Sequence, residues 1–217
     1  MTDFEARRRT MVDTQVRPAD VTRFPIIDAM LTVPREDFVP DAYRETAYVG
    51  EHVPISPGRV VLEPRLLGKI LDALDLTGED LVLDIGSAYG YSAAVIAHIA
   101  QAVIAVEGDE TLAAESMPLL SEAGADNVIV EEGAMTEGAA EHGPYDVIII
   151  EGGVETMPAA LIDQLKEGGR MAAVFCEGAL GTLRVGHKHN GKMTWRDEFN
   201  AHVPVMPGFA RESAFTL

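Results

Sequence analysis

The chain has 217 residues, and its 17 Lys and Arg against 35 Asp and Glu give a formal net charge of −18 at pH 7. A charge of this sign repels phosphate backbones and anionic lipid, so we expect neither nucleic acid nor a membrane surface as a partner. The length suits one domain with an appendage. Cys176 is the only cysteine, which excludes an internal disulfide and, with no secretory signal pattern at the N-terminus, predicts a cytoplasmic protein.

Residues 1–60 are predicted to form an N-terminal extension, and residues 61–217 the main domain. Six of the twelve prolines lie in the extension. Proline removes a backbone donor and interrupts long helices, so this segment should hold short helices, turns and edge strands.

The main domain alternates short apolar runs with amphipathic stretches. Strands are predicted at 81–85, 103–106, 128–130, 147–150 and 171–175, and helices at 64–74, 91–100, 110–123 and 158–167. After residue 182 the pattern is β-like around Asn190-Gly191, a dipeptide typical of hairpin turns. Strand followed by helix at roughly 20-residue spacing is typical of a mostly parallel sheet wrapped by helices. The predicted fold class is therefore α/β with a mostly parallel sheet.

The first predicted strand of this domain ends in a glycine-bearing loop, Asp84 to Tyr91, that leads into a helix. A strand, a tight turn and a helix N-terminus form a common site for a nucleotide-like ligand, because small residues let the ligand approach the backbone. Glu107 closes the second strand, roughly 20 residues after the loop begins, where a carboxylate can accept both hydroxyls of a ribose. The alternative is that Gly86 and Gly90 only form a tight turn and that Glu107 is a solvated strand end.

The loop lacks the spacing of a dinucleotide-binding motif, because Ala88 and Tyr91 fill the second and third glycine positions counted from Gly86. A ligand without a pyrophosphate, such as S-adenosylmethionine, fits this loop better than NAD. The predicted cofactor-binding residues on the loop are Asp84, Gly86, Ser87, Ala88 and Tyr91.

These and other segments resemble the protein-L-isoaspartate O-methyltransferase family, class I enzymes that depend on S-adenosylmethionine. The segment VPREDFVP at 33–40 and the glycine loop at 84–91 are its most specific parts. The likeness extends over residues 7–180 through IDAM at 27–30, Ala47-Tyr48, Pro54-Ile55, Glu63-Pro64, Val106-Glu107, PYDVII at 144–149, Pro158, Gln164-Leu165 and GGR at 168–170. It implies a seven-stranded, doubly wound, Rossmann-like methyltransferase domain whose N-terminal extension helps to cover the site. The implied activity is carboxyl methylation of isoaspartyl residues in proteins or peptides, a protein repair reaction.

The resemblance also implies roles for single residues. The backbone around Gly86 and Ser87 is expected to face the methionine part of the cofactor, and Glu107 the ribose. Gly133 and Ala134, which follow the third strand, are expected beside the adenine.

Three positions depart from the family pattern. The family's catalytic serine lies two residues before the proline that opens the first helix of the domain, and Leu62 stands at that position. The family's Gly-Asp pair is Gly133-Ala134 here, which removes a carboxylate acceptor for the adenine amino group, and the middle glycine of the loop is Ala88. A carboxylate with a pKa of ~4 is already ionised at neutral pH and needs no general base. Losing the serine should therefore weaken the reaction without excluding it.

Two residues are candidates for a catalytic role in its place. Ser56 lies in the presumed acceptor loop, and Glu151 ends the fourth strand. A charged Glu151 would repel a carboxylate acceptor, but it could act as a base toward a neutral one. The alternatives are a turn serine and a strand-end glutamate that points to solvent.

Three functions stay open on the sequence: an isoaspartyl methyltransferase, a methyltransferase with a neutral acceptor, and a non-catalytic relative that only binds a ligand. We predict no metal site, because no histidine has a defensible ligand spacing to a cysteine or carboxylate.

Overall fold

The computed structural model describes residues 3–211. Ahead of the main sheet the chain forms two helices and a β-hairpin: α1 (Asp3–Met11), α2 (Phe24–Thr32), β1 (Val53–Ser56) and β2 (Arg59–Val61). The two α-helices have nine residues each, and α1 continues without a break into a π-helical segment, Val12–Val16, and a 3-10 turn, Arg17–Ala19, so the N-terminal helical stretch is longer than predicted. Pro25 lies in the first turn of α2 and Pro54 in the two-stranded hairpin, where the missing N–H is tolerated. None of the helices within residues 3–211 combines the length and apolarity that crossing a membrane requires.

The rest of the chain alternates helices with the strands of one large sheet. Its elements are α3 (Pro64–Ala73), β3 (Leu81–Ile85), α4 (Tyr91–Ala97), β4 (Ala102–Glu107), α5 (Glu110–Glu122), β5 (Val128–Glu132), β6 (Tyr145–Val154), α6 (Ala159–Asp163), β7 (Leu165–Glu177), β8 (Leu180–His189) and β9 (Lys192–Asn200). The strand order is β5-β4-β3-β6-β7-β8-β9. Strands β3 to β7 run parallel, whereas β8 and β9 form an antiparallel hairpin at the edge. The predicted seven-stranded, mostly parallel, doubly wound sheet is confirmed.

The strand order reverses between β3 and β6. The chain runs outward from β3 through β4 to β5, and then returns to β6 on the other side of β3. In open sheets of this kind, ligands bind in the crevice at the carboxyl ends of the strands where the order reverses. The topology therefore places the candidate site at the carboxyl ends of β3 and β6.

Both faces of the sheet are covered by apolar packing. Val82 and Ile149 point into one hydrophobic cluster, and Leu83 and Ile148 into the other. On α3 the predicted apolar stripe is buried, at Leu66, Leu67, Ile70 and Leu71. The N-terminal helices pack into the same cluster as α3 and α4.

Several boundaries differ from the sequence prediction. The helix predicted at 158–167 is only α6, because the Gln164 carbonyl accepts from the Tyr145 N–H at 2.8 Å and Leu165 then pairs with Tyr145 as the start of β7. The helix predicted at 91–100 stops at Ala97, where the Asn127 side chain donates to its carbonyl at 3.0 Å. Strand β6 continues past Ile150, since its backbone finds further partners beyond that residue.

Candidate active site

The β3–α4 loop keeps a tight turn despite its missing glycine. Gly86 and Gly90 have φ of 82° and 93°, in the left-handed region that glycine enters without steric penalty. Ala88 lies in the same region at φ 54°, where a side chain costs about 1–2 kcal/mol. Its backbone N–H donates to Glu107 Oε2 at 2.7 Å, which helps to hold this conformation.

The Glu107 carboxylate is fully buried and has no free acceptor position. Oε1 accepts from Arg59 Nη1 at 2.8 Å and from the Asp109 N–H at 3.0 Å, while Oε2 accepts from Arg59 Nη2 at 2.6 Å and from the Ala88 N–H at 2.7 Å. A carboxylate offers about four lone-pair positions. The expected ribose acceptor is therefore saturated by the chain's own donors, and Glu107 is not a solvated strand end.

Arg59, at the start of β2, is a site residue that the sequence analysis missed. Its side chain is 5% exposed, and it also donates to the Gly86 carbonyl at 3.2 Å. The available signal was one charged residue opening the apolar run RVV at 59–61. That pattern is equally typical of an exposed strand end, so only the fold shows that the guanidinium reaches β4.

After β9 the chain returns across this end of the sheet. The Gly153 N–H donates to the Pro204 carbonyl and the Met206 N–H to the Gly153 carbonyl, both at 2.9 Å, so the returning chain pairs with β6 beyond the end of β3. Met206 is 1% exposed. A Cβ at Gly152 would lie 2.4 Å from Met206 Cγ, and a Cβ at Gly86 3.1 Å from Met206 Cε. Met206 thus fills the space against the glycine loop.

Two buried carboxyl groups lie on the neighbouring strands β3 and β6. Burial raises the pKa of Asp84 to about 7, although the Ser92 hydroxyl donates to it at 2.7 Å. Burial, and then the charge of Asp84, raise the pKa of Glu151 well above its usual value. Glu151 is 5% exposed, so it does not point to solvent.

Four polar atoms in this buried region have no hydrogen-bond partner among the described residues: Arg59 Nε, Asp84 Oδ1, Ser87 Oγ and Glu151 Oε1. An unpaired buried donor or acceptor costs about 1–3 kcal/mol. A methionine side chain offers only a weak acceptor and therefore does not supply the missing hydrogen bonds.

On the far side of Glu107 a cleft of about 480 Å³ stays open. Gly133, Ala134 and Met135 line it after β5, and Pro207 and Gly208 line it from the returning chain. This is where the resemblance implies the adenine. Gly133 also donates its N–H to the Glu107 carbonyl at 3.0 Å, which ties the cleft to the end of β4.

Two of the remaining sequence candidates, Leu62 and Tyr91, contact Arg35, whose charge also acts on Glu151. Ser56 is exposed at the end of β1. Leu62 is 2% exposed in the hydrophobic core, and its carbonyl accepts from Arg35 Nη2 at 2.8 Å. The Tyr91 ring is buried beneath the Arg35 guanidinium, whose carbon lies 4.7 Å from the ring centroid. The sequence analysis also missed Arg35, which lies within the family segment VPREDFVP.

The described residues include one histidine–carboxylate cluster outside this region. Ligand atoms of Glu131, Glu141 and His142 lie within 4.8 Å of one another. His142 Nε2 is 2.9 Å from Glu131 Oε1, so the two side chains already satisfy each other as a surface hydrogen bond. We assign no metal to this cluster.

Comparison with known proteins relates this geometry to one family. The family model of protein-L-isoaspartate(D-aspartate) O-methyltransferases matches residues 7–208. The chain is 35% identical over 193 residues to the protein-L-isoaspartate O-methyltransferase of Koribacter versatilis, covering 89% of this chain and 87% of that protein. It is 38% identical over 205 residues to protein-L-isoaspartate O-methyltransferase 2 of Pelobacter propionicus, covering 94% and 90%.

Two solved structures share the fold. A protein-L-isoaspartate O-methyltransferase superposes with a TM-score of 0.80 at 24% identity, covering 93% of this chain and 66% of that longer one. A Plasmodium falciparum protein described as a protein-L-isoaspartate O-methyltransferase, solved with S-adenosyl-L-homocysteine, gives a TM-score of 0.78 at 19% identity, covering 95% and 99%.

The residues as arranged here do not accommodate S-adenosylmethionine. The carboxylate expected to accept the ribose hydroxyls is saturated by Arg59 and two backbone N–H groups. Met206 packs where the resemblance places the methionine part of the cofactor. Of the positions where the resemblance places the cofactor, residues 3–211 leave the cleft beside Gly133 and Ala134 open.

Proposed function

The chain belongs to the protein-L-isoaspartate(D-aspartate) O-methyltransferase family, and we propose that it methylates the side-chain carboxylate of isoaspartyl residues in proteins or peptides. The family consists of methyltransferases that use S-adenosylmethionine. The observation that carries the proposal is the continuous match over residues 7–208, which includes the N-terminal segments as well as the sheet. We place the reaction in the cytoplasm, where the single free thiol of Cys176 would stay reduced.

Loss of the family's serine is compatible with this function. An ionised carboxylate is already a nucleophile, so the protein has to align and desolvate it rather than remove a proton. Leu62 cannot donate a side-chain hydrogen bond, and its backbone carbonyl is already held by Arg35. We propose that the substitution removes one positioning group and leaves the reaction slower.

The buried environment of Glu151 makes this residue more compatible with a carboxylate acceptor than the sequence alone suggests. Burial, and then the charge of Asp84, raise the pKa of Glu151 well above its usual value, which favours the neutral form and reduces the repulsion expected from a charged glutamate. A protonated Glu151 has an O–H to donate, and Oε1 has no partner among the described residues. We propose that Glu151 positions the acceptor by a hydrogen bond.

The second candidate is methyl transfer to a neutral alcohol or amine with Glu151 as general base. The observation that favours it is the same raised pKa, because raising the pKa of a carboxyl group makes its ionised form a stronger base.

The decisive experiment uses methyl-labelled S-adenosylmethionine with two peptides of one sequence, containing either isoaspartate or normal aspartate. We expect base-labile label in the isoaspartyl peptide and none in its control. Absence of ester at stoichiometric amounts of protein would reject the proposed function.

Glu151→Gln separates the two candidates. Glutamine keeps a neutral donor of similar shape, so a positioning role should leave ester formation within about tenfold of the wild type. General-base catalysis contributes about 10²–10⁴-fold, so transfer to a neutral acceptor should nearly vanish in the same variant.

A further inference from the structure

We propose that residues 203–211, here called the C-terminal segment, together with Arg59 form an intramolecular inhibitor that closes the cofactor site and must leave before the cofactor binds. The inference rests on the proposed function only in taking S-adenosylmethionine as the ligand of this site.

The first part of the inhibitor is Met206. The C-terminal segment pairs with Gly153 of β6, directly beyond the end of β3, and this pairing points the Met206 side chain at the glycine loop. Gly86 and Gly152 both contact Met206 so closely that neither position has room for a Cβ without displacing it. The thioether therefore occupies the volume next to the loop backbone, which a bound ligand would need.

The second part is Arg59. Its guanidinium takes one hydrogen-bond position on each oxygen of Glu107, and it also reaches the Gly86 carbonyl. Hairpin β1–β2, which carries Arg59, meets the C-terminal segment directly, since a Cβ at Gly58 would lie 2.8 Å from the Val205 carbonyl oxygen. The two parts are thus neighbours, and displacement of the segment would loosen the contacts around Arg59.

Opening would leave the sheet intact but would cost the contacts of the C-terminal segment. The segment follows β9, the last strand of the sheet, so its departure breaks no pairing between the seven strands. It does break the segment's backbone hydrogen bonds to Gly153, Glu155 and Thr156 and expose the buried Met206 and Phe209. In the closed state Ser87 Oγ, Asp84 Oδ1 and Glu151 Oε1 are buried without hydrogen-bond partners among residues 3–211, whereas a polar ligand could pair with them. A competing closed state lowers the apparent affinity by the fraction of molecules that are open.

The test measures binding of S-adenosyl-L-homocysteine to the full chain by calorimetry. Met206→Ala removes the side chain against the glycine loop, and Arg59→Gln removes the guanidinium that occupies the oxygens of Glu107. Met193→Ala on β9 and Arg184→Gln on β8 serve as matched controls. We expect each site variant to bind at least about tenfold more tightly than the wild type, and each control to stay within about twofold.

Hydrogen exchange supplies a second readout in the wild type. The Met206 N–H, which donates to Gly153, should lose protection when S-adenosyl-L-homocysteine is bound. Equal affinity for wild type and site variants, with Met206 still protected in the complex, would overturn the inhibitor. Absence of binding in all variants would overturn it too, because closure would then not be what excludes the ligand.

This outcome is independent of the methylation assay. Tighter binding by the variants without ester formation would support the inhibitor and reject the proposed function. Equal binding with ester formation would do the reverse.

Discussion

Two arginine–carboxylate pairs lie at opposite ends of the same sheet. At the amino end, Arg170 holds Asp80 with contacts of 2.7 and 3.1 Å, and at the carboxyl end Arg59 holds Glu107 with contacts of 2.6 and 2.8 Å. Both pairs are bidentate, the geometry that makes such hydrogen bonds strong. They differ in burial, because the side chains are 17% and 8% exposed at the amino end but 5% and 0% exposed at the carboxyl end.

The surroundings of the two pairs differ more than the pairs themselves. At the amino end, Arg170 also donates to the Leu74 and Asp75 carbonyls, and Asp80 also accepts from the Thr77 N–H at 2.6 Å. At the carboxyl end, Arg59 Nε and one side-chain atom each of Asp84, Ser87 and Glu151 are buried without a hydrogen-bond partner in the part of the chain that the structure describes. A structural ion pair completes the hydrogen bonding around it, whereas one in a ligand site leaves polar groups for something else to satisfy.

The largest expected effect follows removal of the carboxylates. Glu107→Ala leaves the Arg59 guanidinium buried without its counter-charge, so the free energy of unfolding should fall by about 3–5 kcal/mol. Asp80→Ala should lower it by about 2 kcal/mol, because the more exposed Arg170 can reach water. Urea unfolding of both variants measures the difference. Equal losses of stability, or a larger loss for Asp80→Ala, would mean that both pairs serve the fold alone.

A second test places a serine at position 62, where the resemblance puts the family's catalytic serine. Leu62→Ser truncates a core residue and should lower the free energy of unfolding by about 2–4 kcal/mol. If only positioning was lost, ester formation on the isoaspartyl peptide should rise by about one to two decades. Leu66→Ser, equally buried on α3, is the matched control and should lose stability without a rate gain. An unchanged rate for Leu62→Ser would mean that the acceptor site has been rebuilt more widely.

The smallest expected effect is on the pH dependence of the free energy of unfolding. Asp84 at the carboxyl end and Asp80 at the amino end should contribute to it with opposite signs. Asp84 titrates at about 7 in the folded chain, above the unfolded value of ~3.9, so its contribution to stability is complete below pH ~4 and is lost as pH rises to about 7. The slope is at most about 1.4 kcal/mol per pH unit. Burial acts to raise the pKa of Asp80, but hydrogen bonds from Arg170 and Thr77 lower it overall. Its contribution is present above pH ~4 and is lost as pH falls further.

Urea unfolding from pH 3 to pH 8 tests this pair of signs. Asp84→Asn should flatten the decline between pH 4 and 7, and Asp80→Asn should remove part of the loss at acid pH. A decline that persists unchanged in Asp84→Asn would show that another group is responsible.

The sequence by itself determined the fold class, the glycine loop and the carboxylate at the end of β4. Periodicity and turn residues are local, so the runs at 81–85 and 103–106 indicate strands without knowledge of their partners. The family segment at 33–40 likewise needs no tertiary context. The division into an extension at 1–60 and a domain at 61–217 stays a prediction.

Only the tertiary structure decided what occupies the site. Met206 is roughly 120 residues from the glycine loop in the chain, and no local pattern connects a methionine after the last strand to the end of the first one of the sheet. Arg59 and Glu107 belong to different elements, and their pairing follows from the β1–β2 hairpin resting on the carboxyl end of the sheet. Burial also raised the pKa of Glu151, because a carboxyl group's pKa depends on its surroundings and not on its position in the sequence.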